Sequence, residues 1–261
     1  MHIDIGRRGW AAVIAALVVA TTALVVLASV ADAVREQDGV TTSDGTRLHW
    51  FLTQRSTGTI DLARVLTEIG GVLVLVGLAV LAGVVLWRRG QPMLVALAPS
   101  TSLALAGLAV AVGKPFFGRA RPDLALHLVT ENEPSFPSGH SADSTALLLS
   151  IGLVLAVFVF RRPLARVAAV AVSVLTSIGI GLSRLVLGVH WPTDVVAGWA
   201  LGGAVAVIVV TGVFVVTRTA PAPGRGPGPA DRSPVWRLWR LATRVRRPEP
   251  PAMAFVASPL G

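Results

Sequence analysis

Six long apolar stretches, separated by short polar segments, set the pattern of this chain. They cover residues 10–31, 70–87, 93–113, 141–160, 164–182 and 195–216. Each is close to the roughly 20 residues that an α-helix needs to cross the hydrocarbon core of a bilayer. The composition agrees, because 53% of the residues are hydrophobic and only 14% are charged, outside the range of ordinary soluble domains. The pattern therefore predicts an all-α, polytopic membrane protein with six transmembrane helices in a compact bundle.

Beyond this membrane domain, residues 1–216, the composition changes twice. Residues 217–234 are rich in proline and glycine, which is typical of a linker. Residues 235–261 begin with apolar side chains on one helical face and arginines on another, the pattern of an amphipathic helix. We expect this basic tail to lie on anionic lipid headgroups. Nucleic acid is a poor alternative partner, because the positive charge lies beside a membrane span.

The arginines also predict the orientation of the helices, because short cytoplasmic loops carry an excess of basic residues. They cluster before the first span, after the second, between the fourth and fifth, and in the tail after the sixth. Both termini are therefore expected in the cytoplasm, in a multi-pass protein of the plasma membrane. The segments 32–69, 114–140 and 183–194 are then expected outside.

Two features of the N-terminal region have alternative interpretations. The first span could be a cleaved signal peptide, since Ala31-Asp32-Ala33 resembles a small-residue cleavage site, but its length favours a retained anchor. The outer segment 32–69 mixes apolar and charged positions. It is expected to be a helix or helix pair on the membrane surface, or a lid that controls access of lipid to the bundle.

A polar cluster between the fifth and sixth spans contains Ser183-Arg184, His190 and Asp194. Pro192 suits the first turn of a helix, so the sixth span is expected to start near His190. His190 and Asp194 are four residues apart, so one imidazole nitrogen can donate to the carboxylate. This hydrogen bond fixes the tautomer and leaves the other nitrogen as a neutral nucleophile. The pair could also simply cap the helix, although ionisable residues at a membrane helix end favour a function.

A second cluster, Pro137-Ser138-Gly139-His140, opens the fourth span. Ser138 is a natural N-cap, Gly139 lets a ligand approach the backbone closely, and the free N–H groups of a helix start attract anions. His140 is suited to donating a proton to a departing oxygen, as a general acid. Viewed alone, the cluster is equally compatible with a capped helix and an incidental interfacial histidine.

A third group of polar residues, Lys114, Arg119 and Arg121-Pro122, follows the third span. Lysine supplies a compact charge, and arginine a planar fork that matches phosphate oxygens. The predicted orientation places this loop outside, whereas basic residues are usually enriched in cytoplasmic loops. Anion binding would explain why these cations lie outside. Arg119 is open to two interpretations: a further phosphate contact, particularly for a diphosphate, or a residue that faces headgroups.

Together the clusters contain a nucleophile, an orienting carboxylate, an acid for the leaving group and several cations, the groups that phosphoryl transfer needs. No cluster of carboxylates suited to magnesium accompanies them. The chain has no cysteine, so a thiolate metal site is impossible. We therefore expect neither a metal nor another cofactor.

In order and spacing, these clusters resemble the tripartite signature of the type-2 phosphatidic acid phosphatase superfamily. The signature is lysine, six residues and Arg-Pro; then Pro-Ser-Gly-His; then Ser-Arg, five residues, histidine, three residues and aspartate, and the resemblance covers about residues 60–216. It implies that His190 attacks phosphorus to form a phosphohistidine, that Asp194 orients it, and that His140 protonates the leaving oxygen. The phosphoryl oxygens would be held by Lys114, Arg121, Ser138, Gly139, Ser183 and Arg184. Water would then hydrolyse the intermediate at a site that faces outside.

Asp143 lies outside the signature, three residues after His140 on the same span. A carboxylate is costly in lipid unless it is paired. It could hold His140 in its acid form or pair with a nearby arginine. If it merely faces water, Asp143→Asn would leave activity almost unchanged.

The expected function is hydrolysis of a lipid mono- or diphosphate at the outer face of the membrane. A polyprenyl diphosphate such as undecaprenyl diphosphate is favoured, because an outward site suits recycling of a lipid carrier; phosphatidic acid, phosphatidylglycerophosphate and decaprenyl-phosphate sugars are alternatives. A lipid phosphotransferase would use an acceptor hydroxyl in place of water. The related vanadium haloperoxidases are soluble, which six spans argue against. A channel or transporter with a cationic vestibule would not depend on His190.

Overall fold

The computed structural model describes residues 5–219, and every regular element in that range is helical. The α-helices are, in chain order, α1 (Gly6–Glu36), α2 (Asp44–Thr53), α3 (Thr57–Ile69), α4 (Val72–Arg88), α5 (Met93–Phe117), α6 (Gly139–Val154), α7 (Pro163–Val186) and α8 (Pro192–Thr219). A π-helical turn, Leu155–Val159, extends α6. The predicted all-α class is confirmed. Most of the predicted linker, and the whole basic tail, lie outside the described residues.

Among the described residues, five helices are long and apolar enough to cross a membrane: α1, α5, α6 with its π turn, α7 and α8. The sixth candidate is α3 together with α4, a pair that bends by 53° where it breaks. The predicted second span, residues 70–87, corresponds to α4, which has 17 residues. Residues 5–219 therefore contain five or six candidate spans, and the apolar pattern located each of them except the α3 half of the bent pair.

The outer segment 32–69 contains two helices, α2 and α3, and is tied to the loops that carry the polar clusters. Arg55, between these helices, donates to the backbone oxygens of Leu126 at 2.7 Å and Val186 at 2.8 Å. Leu48 of α2 is buried in a cluster with side chains of α7 and α8. The segment is thus part of the packed structure around the clusters.

Helices α6 and α8 approach each other closely at two glycines of α8. A Cβ atom added to Gly198 would lie 2.7 Å from the carbonyl oxygen of Ser138, and one added to Gly202 would lie 2.9 Å from the backbone nitrogen of Ala146. Small residues commonly allow such contact between membrane helices. Ser138 N also donates to the backbone oxygen of Asp194 at 3.1 Å. The starts of α6 and α8 are therefore fixed side by side.

The opposite end of the bundle is packed by an apolar cluster that includes Leu86, Val95, Val154 and Val210. The arginine pairs that predicted the cytoplasmic side follow α4 and precede α7, next to this cluster. The polar clusters and the arginine-rich turns thus lie at opposite ends of the helices.

Helix α1 is packed against this bundle along α8. Its residues Val30 and Val34 are buried in one cluster with Phe136 and Ala197. Retention of the first span as an anchor stays a prediction, but α1 contributes to the core beside the second polar cluster.

Candidate active site

The three polar clusters meet at one end of the bundle. Their residues lie at four helix ends: Lys114 in the last turn of α5, Ser138 at the N-cap of α6, Arg184 in the last turn of α7, and Asp194 in the first turn of α8. Arg121, in the loop between α5 and α6, donates to the backbone oxygen of Val189 at 2.7 Å. The loop after α5 and the loop before α8 are therefore in direct contact.

His190 lies in the loop between α7 and α8 and is only 1% exposed. Its Nδ1 is 3.3 Å from Oδ2 of Asp194, and its Nε2 is 3.2 Å from Nη1 of Arg121. An arginine N–H can only donate, so the contact makes Nε2 the acceptor and Nδ1 the protonated nitrogen that faces Asp194. The imidazole therefore presents its lone pair beside a cation.

The surroundings of His190 keep its ring neutral. The pKa of His190 is lowered to about 4, mainly by burial, and the hydrogen bond and charge of Asp194 oppose this only in part. The positive charges of Arg121 and Arg184 contribute to the lowering, because they disfavour a second cation nearby. The imidazole is consequently an unprotonated base at pH 7, as a nucleophile must be.

Glu131, a carboxylate that the sequence analysis did not identify, lies between the two arginines of the signature. Its Oε2 accepts a hydrogen bond from Nη2 of Arg121 at 3.2 Å, and its Oε1 accepts one from Nη2 of Arg184. Burial alone would raise the pKa of Glu131, but the charges of Arg184 and Arg121 lower it overall. Arg121 and Arg184, which come from two different clusters, therefore converge on the same carboxylate.

The remaining cation contacts also come from residues outside the signature. Arg184 donates to the hydroxyl of Thr67, which belongs to α3. Lys114 donates from Nζ to Oε2 of Glu133 at 2.5 Å, and this hydrogen bond lowers the pKa of Glu133. A signal for the two glutamates was present in the sequence, since they are acidic residues in the same loop as Arg119 and Arg121. Thr67 carried no comparable signal.

Ser138 occupies the predicted N-cap position of α6, but its side chain makes no capping hydrogen bond. Its hydroxyl instead accepts a hydrogen bond from Ser141 Oγ at 3.1 Å. The first amides of α6 are thus not taken by a cap side chain, which suits an anion at the helix start. Gly139 and His140 are in this first turn, and a Cβ on Gly70 would lie 3.2 Å from Cδ2 of His140. The imidazole therefore lies against the junction of α3 and α4.

Two residues predicted to contact phosphate have other partners. Ser183 donates its hydroxyl to the backbone oxygen of Ile180 at 2.7 Å, within α7. Arg119 donates to Oδ1 of Asp194 at 2.5 Å and to Oδ2 of Asp44 at 2.7 Å. It binds the oxygen of Asp194 that His190 does not contact. Neither of these two contacts of Arg119 was predicted from the sequence.

Asp143 is half-buried on α6, and its Oδ1 has no hydrogen-bond partner. A Cβ added to Gly107 of α5 would lie 3.7 Å from this oxygen. Within residues 5–219, the expected pairing of Asp143 with His140 or an arginine is not found. The carboxylate is directed toward α5 instead.

Known proteins match the part of the chain that builds this site. The family model described as PAP2 superfamily matches residues 95–218, which include all three clusters. The decaprenylphosphoryl-5-phosphoribose phosphatase of Mycobacterium tuberculosis is 34% identical over 135 residues, 51% of this chain and 67% of that protein. The lipid A 1-phosphatase of Rhizobium etli is 35% identical over 115 residues, 40% of this chain and 44% of that protein.

A solved structure has the same fold. The PAP2-type phosphatidylglycerolphosphate phosphatase of Bacillus subtilis superposes with a TM-score of 0.68, over 73% of this chain and 93% of that one. The identity is 24%, so this match speaks for the fold alone. The matched relatives and the family model together show that the chain belongs to the PAP2 superfamily, a family of membrane lipid phosphatases.

Proposed function

We propose that this chain hydrolyses a lipid phosphate through a phosphohistidine formed at His190. The observation that carries the proposal is the position of the imidazole between Asp194 and Arg121, at 3.3 Å and 3.2 Å. One ring nitrogen is held by a carboxylate, and the other faces a guanidinium that can bind a phosphoryl oxygen. A phosphoryl group bound there is next to the lone pair that attacks it.

In the first step, Nε2 of His190 bonds to phosphorus while the bond to the lipid oxygen breaks, and His140 gives that oxygen a proton. Arg121, Arg184 and Lys114, with the first amides of α6, stabilise charge on the equatorial oxygens. In the second step, water attacks phosphorus, His140 accepts its proton, and the phosphorus–nitrogen bond breaks. Inorganic phosphate leaves, and the neutral imidazole is restored.

The position of Arg119 favours a phosphomonoester over a diphosphate. In one of the two sequence interpretations, this guanidinium contacts a diphosphate, but it is only 15% exposed and is hydrogen-bonded to Asp194 and Asp44. The name of the M. tuberculosis relative describes a 5-phosphoribose on a decaprenyl lipid. We therefore place a phosphorylated sugar on a polyprenyl lipid ahead of a polyprenyl diphosphate. Phosphatidic acid and phosphatidylglycerophosphate carry the same monoester chemistry.

The distribution of arginines supports a site that faces outside. The arginine-rich turns lie at the end of the bundle opposite the polar clusters, and such turns favour the cytoplasm. Hydrolysis would then act on lipid phosphates of the outer leaflet.

The test is phosphate release by the purified chain in detergent with EDTA, on a panel of lipid mono- and diphosphates. His190→Ala should lower kcat by about a thousandfold or more, whereas His49→Ala, at an exposed position of α2, should leave it unchanged. Loss of wild-type activity on chelation would overturn the metal-free mechanism. A preference for diphosphates would overturn the substrate assignment, and a phosphorylated acceptor in place of free phosphate would make the chain a phosphotransferase.

A further inference from the structure

A chain of charged side chains extends from His190 away from the phosphate-binding side. Asp194 Oδ2 faces Nδ1 of His190, and Asp194 Oδ1 accepts a hydrogen bond from Nη1 of Arg119 at 2.5 Å. The other guanidinium nitrogen of Arg119, Nη2, donates to Oδ2 of Asp44 at 2.7 Å. Each oxygen of the Asp194 carboxylate thus has a different charged or ionisable partner.

Asp44 reaches this network from α2, far away in sequence. Its side chain is 3% exposed, and its Oδ1 accepts from the backbone nitrogen of Thr193 at 3.1 Å. Its Oδ2 is bonded to the hydroxyl of Thr193 as well as to Arg119. Asp44 therefore holds the first turn of α8 and the guanidinium at the same time.

The ion pairs of Arg119 with Asp194 and Asp44 are buried, unlike an ordinary surface ion pair. A buried charge is strongly unfavourable unless it is paired and hydrogen-bonded, and here one guanidinium is shared by two buried carboxylates. Arg119 also donates to Thr193 Oγ1 at 2.8 Å and lies over the ring of Trp191 at 5.8 Å. The guanidinium is consequently fixed in position against Asp194.

We propose that Asp44 and Arg119 are positioning residues for His190, which orient the Asp194 carboxylate and set how much of its negative charge acts on Nδ1. This proposal rests on the proposed function, because it assigns the pair to the nucleophile of that reaction. Neither residue is bonded to the arginines or the lysine that would hold the phosphoryl group. Both act through Asp194.

The network predicts pKa shifts of opposite sign for His190. The charged and ionisable groups that act on the imidazole are Asp194, Arg121, Arg184, His140 and Glu131. Asp194 raises the pKa of His190, and Arg119 offsets part of its charge. Replacing the cation in Arg119→Gln should raise the pKa. In Asp44→Asn the positive charge of Arg119 is balanced by Asp194 alone, so it offsets more of the Asp194 charge and should lower the pKa of His190.

The experiment uses the full chain in detergent and measures kcat, KM and the acid limb of the pH profile of kcat/KM. Asp44→Asn and Arg119→Gln should each lower kcat about tenfold or more, with KM nearly unchanged, and their acid limbs should move in opposite directions. Arg119→Lys keeps the charge. Compared with Arg119→Gln, it should have a higher kcat and an acid limb closer to that of the wild type. The matched controls are Asp61→Asn and Arg64→Gln, an exposed ion pair of α3, which should change neither quantity.

A second readout does not depend on turnover. The pKa of His190 is measured by NMR on protein with labelled histidine, with His190→Ala used to assign the signal among the five histidines. Opposite shifts in the two variants support the proposal. Unchanged or parallel shifts overturn it and leave the pair as a structural link between α2 and α8. If the shifts occur while the wild type releases phosphate from no lipid, the proposed function fails and the network stands.

Discussion

At the scale of single residues, Glu131 has two opposing effects on an anion that enters the site. Its contacts with Arg121 and Arg184 hold both guanidinium groups in place before substrate binds, which reduces the entropy that binding must overcome. Its negative charge also competes with the phosphoryl group for the same donors. Phosphate carries more charge than a carboxylate. For a small free anion, we therefore expect the competing charge of Glu131 to weaken binding more than the ordering of the two arginines strengthens it.

The variant Glu131→Gln keeps the size of the side chain and removes its charge. Inorganic phosphate, the reaction product, should then inhibit more strongly, with an inhibition constant roughly tenfold lower, which corresponds to about 1.4 kcal/mol of binding free energy. The measurement is competitive inhibition of the hydrolysis of a chromogenic phosphomonoester. Glu36→Gln, at the exposed end of α1, should leave the constant unchanged. A higher constant in Glu131→Gln would mean that ordering of the arginines outweighs competition.

The residues of the signature could be predicted because they are reactive side chains that lie close together in the sequence, at the ends of predicted helices. His190 and Asp194 are four positions apart, and that spacing alone brings imidazole and carboxylate together. Asp44 and Thr67 could not be predicted in this way, since the folding of α2 and α3 over the bundle brings them to the site. Arg119 was recognised as unusual, but its partner Asp44 was not predicted, so its ion pairs with two carboxylates could not be inferred.

At the scale of helices, the contact between α6 and α8 sets the separation of the two histidine-bearing segments. Asp194, Gly198 and Gly202 are spaced by four residues and so lie on one face of α8. The two glycines of this face meet the first turns of α6, at Ser138 and Ala142. The same face therefore positions Asp194 and lets the start of α6 lie against it.

A methyl group on this face should push the helices apart. In Gly202→Ala the added Cβ would collide with the carbonyl oxygen of Ala142 and lie 2.9 Å from the nitrogen of Ala146, and backbone atoms cannot rotate away. We expect a loss of about 1–3 kcal/mol in the free energy of unfolding and a lower kcat. Thermal unfolding in detergent and phosphate release measure the two effects.

The control for this prediction is the neighbouring glycine. A Cβ added to Gly203 meets no atom within 4 Å, and alanine is favoured over glycine in a helix by roughly 0.8–1.0 kcal/mol. Gly203→Ala should therefore unfold at the same or a higher temperature, with wild-type activity. Equal unfolding temperatures for the two variants would contradict the close-contact argument.

Hydropathy predicted the helices well where they are apolar all round and less well where they are amphipathic. The predicted sixth span, residues 195–216, lies within α8, and the predicted fourth begins two residues after α6 does. Helix α3 was not recognised as part of a span because Asp61, Arg64 and Glu68 interrupt its apolar pattern. It continues into α4 through a bend of 53°, a three-dimensional feature that a hydropathy average does not contain.

At the scale of the whole molecule, the cations of the proposed outer end are locally neutralised. Lys114 is paired with Glu133, Arg121 with Glu131, and Arg119 with two aspartates. These basic residues run against the positive-inside bias, which counts Lys and Arg whatever their partners. Their ion pairs give them a structural role at this end of the bundle, whereas the arginines of the turns at the opposite end are exposed.

The orientation can be tested cleanly because the chain contains no cysteine. Leu124, 76% exposed in the loop between α5 and α6, and Arg161, exposed in the turn before α7, are each replaced by cysteine. In intact cells a membrane-impermeant maleimide should label Leu124→Cys and not Arg161→Cys, and permeabilised cells should label both. Arg161→Cys should retain phosphate release, since Arg161 lies at the end of the bundle opposite the site. Leu124 lines the cavity beside Arg121 and Glu131, so phosphate release by Leu124→Cys before labelling serves to check that this variant is folded. The reverse labelling would place His190 in the cytoplasm, and the substrate would then have to present its phosphate from the inner leaflet.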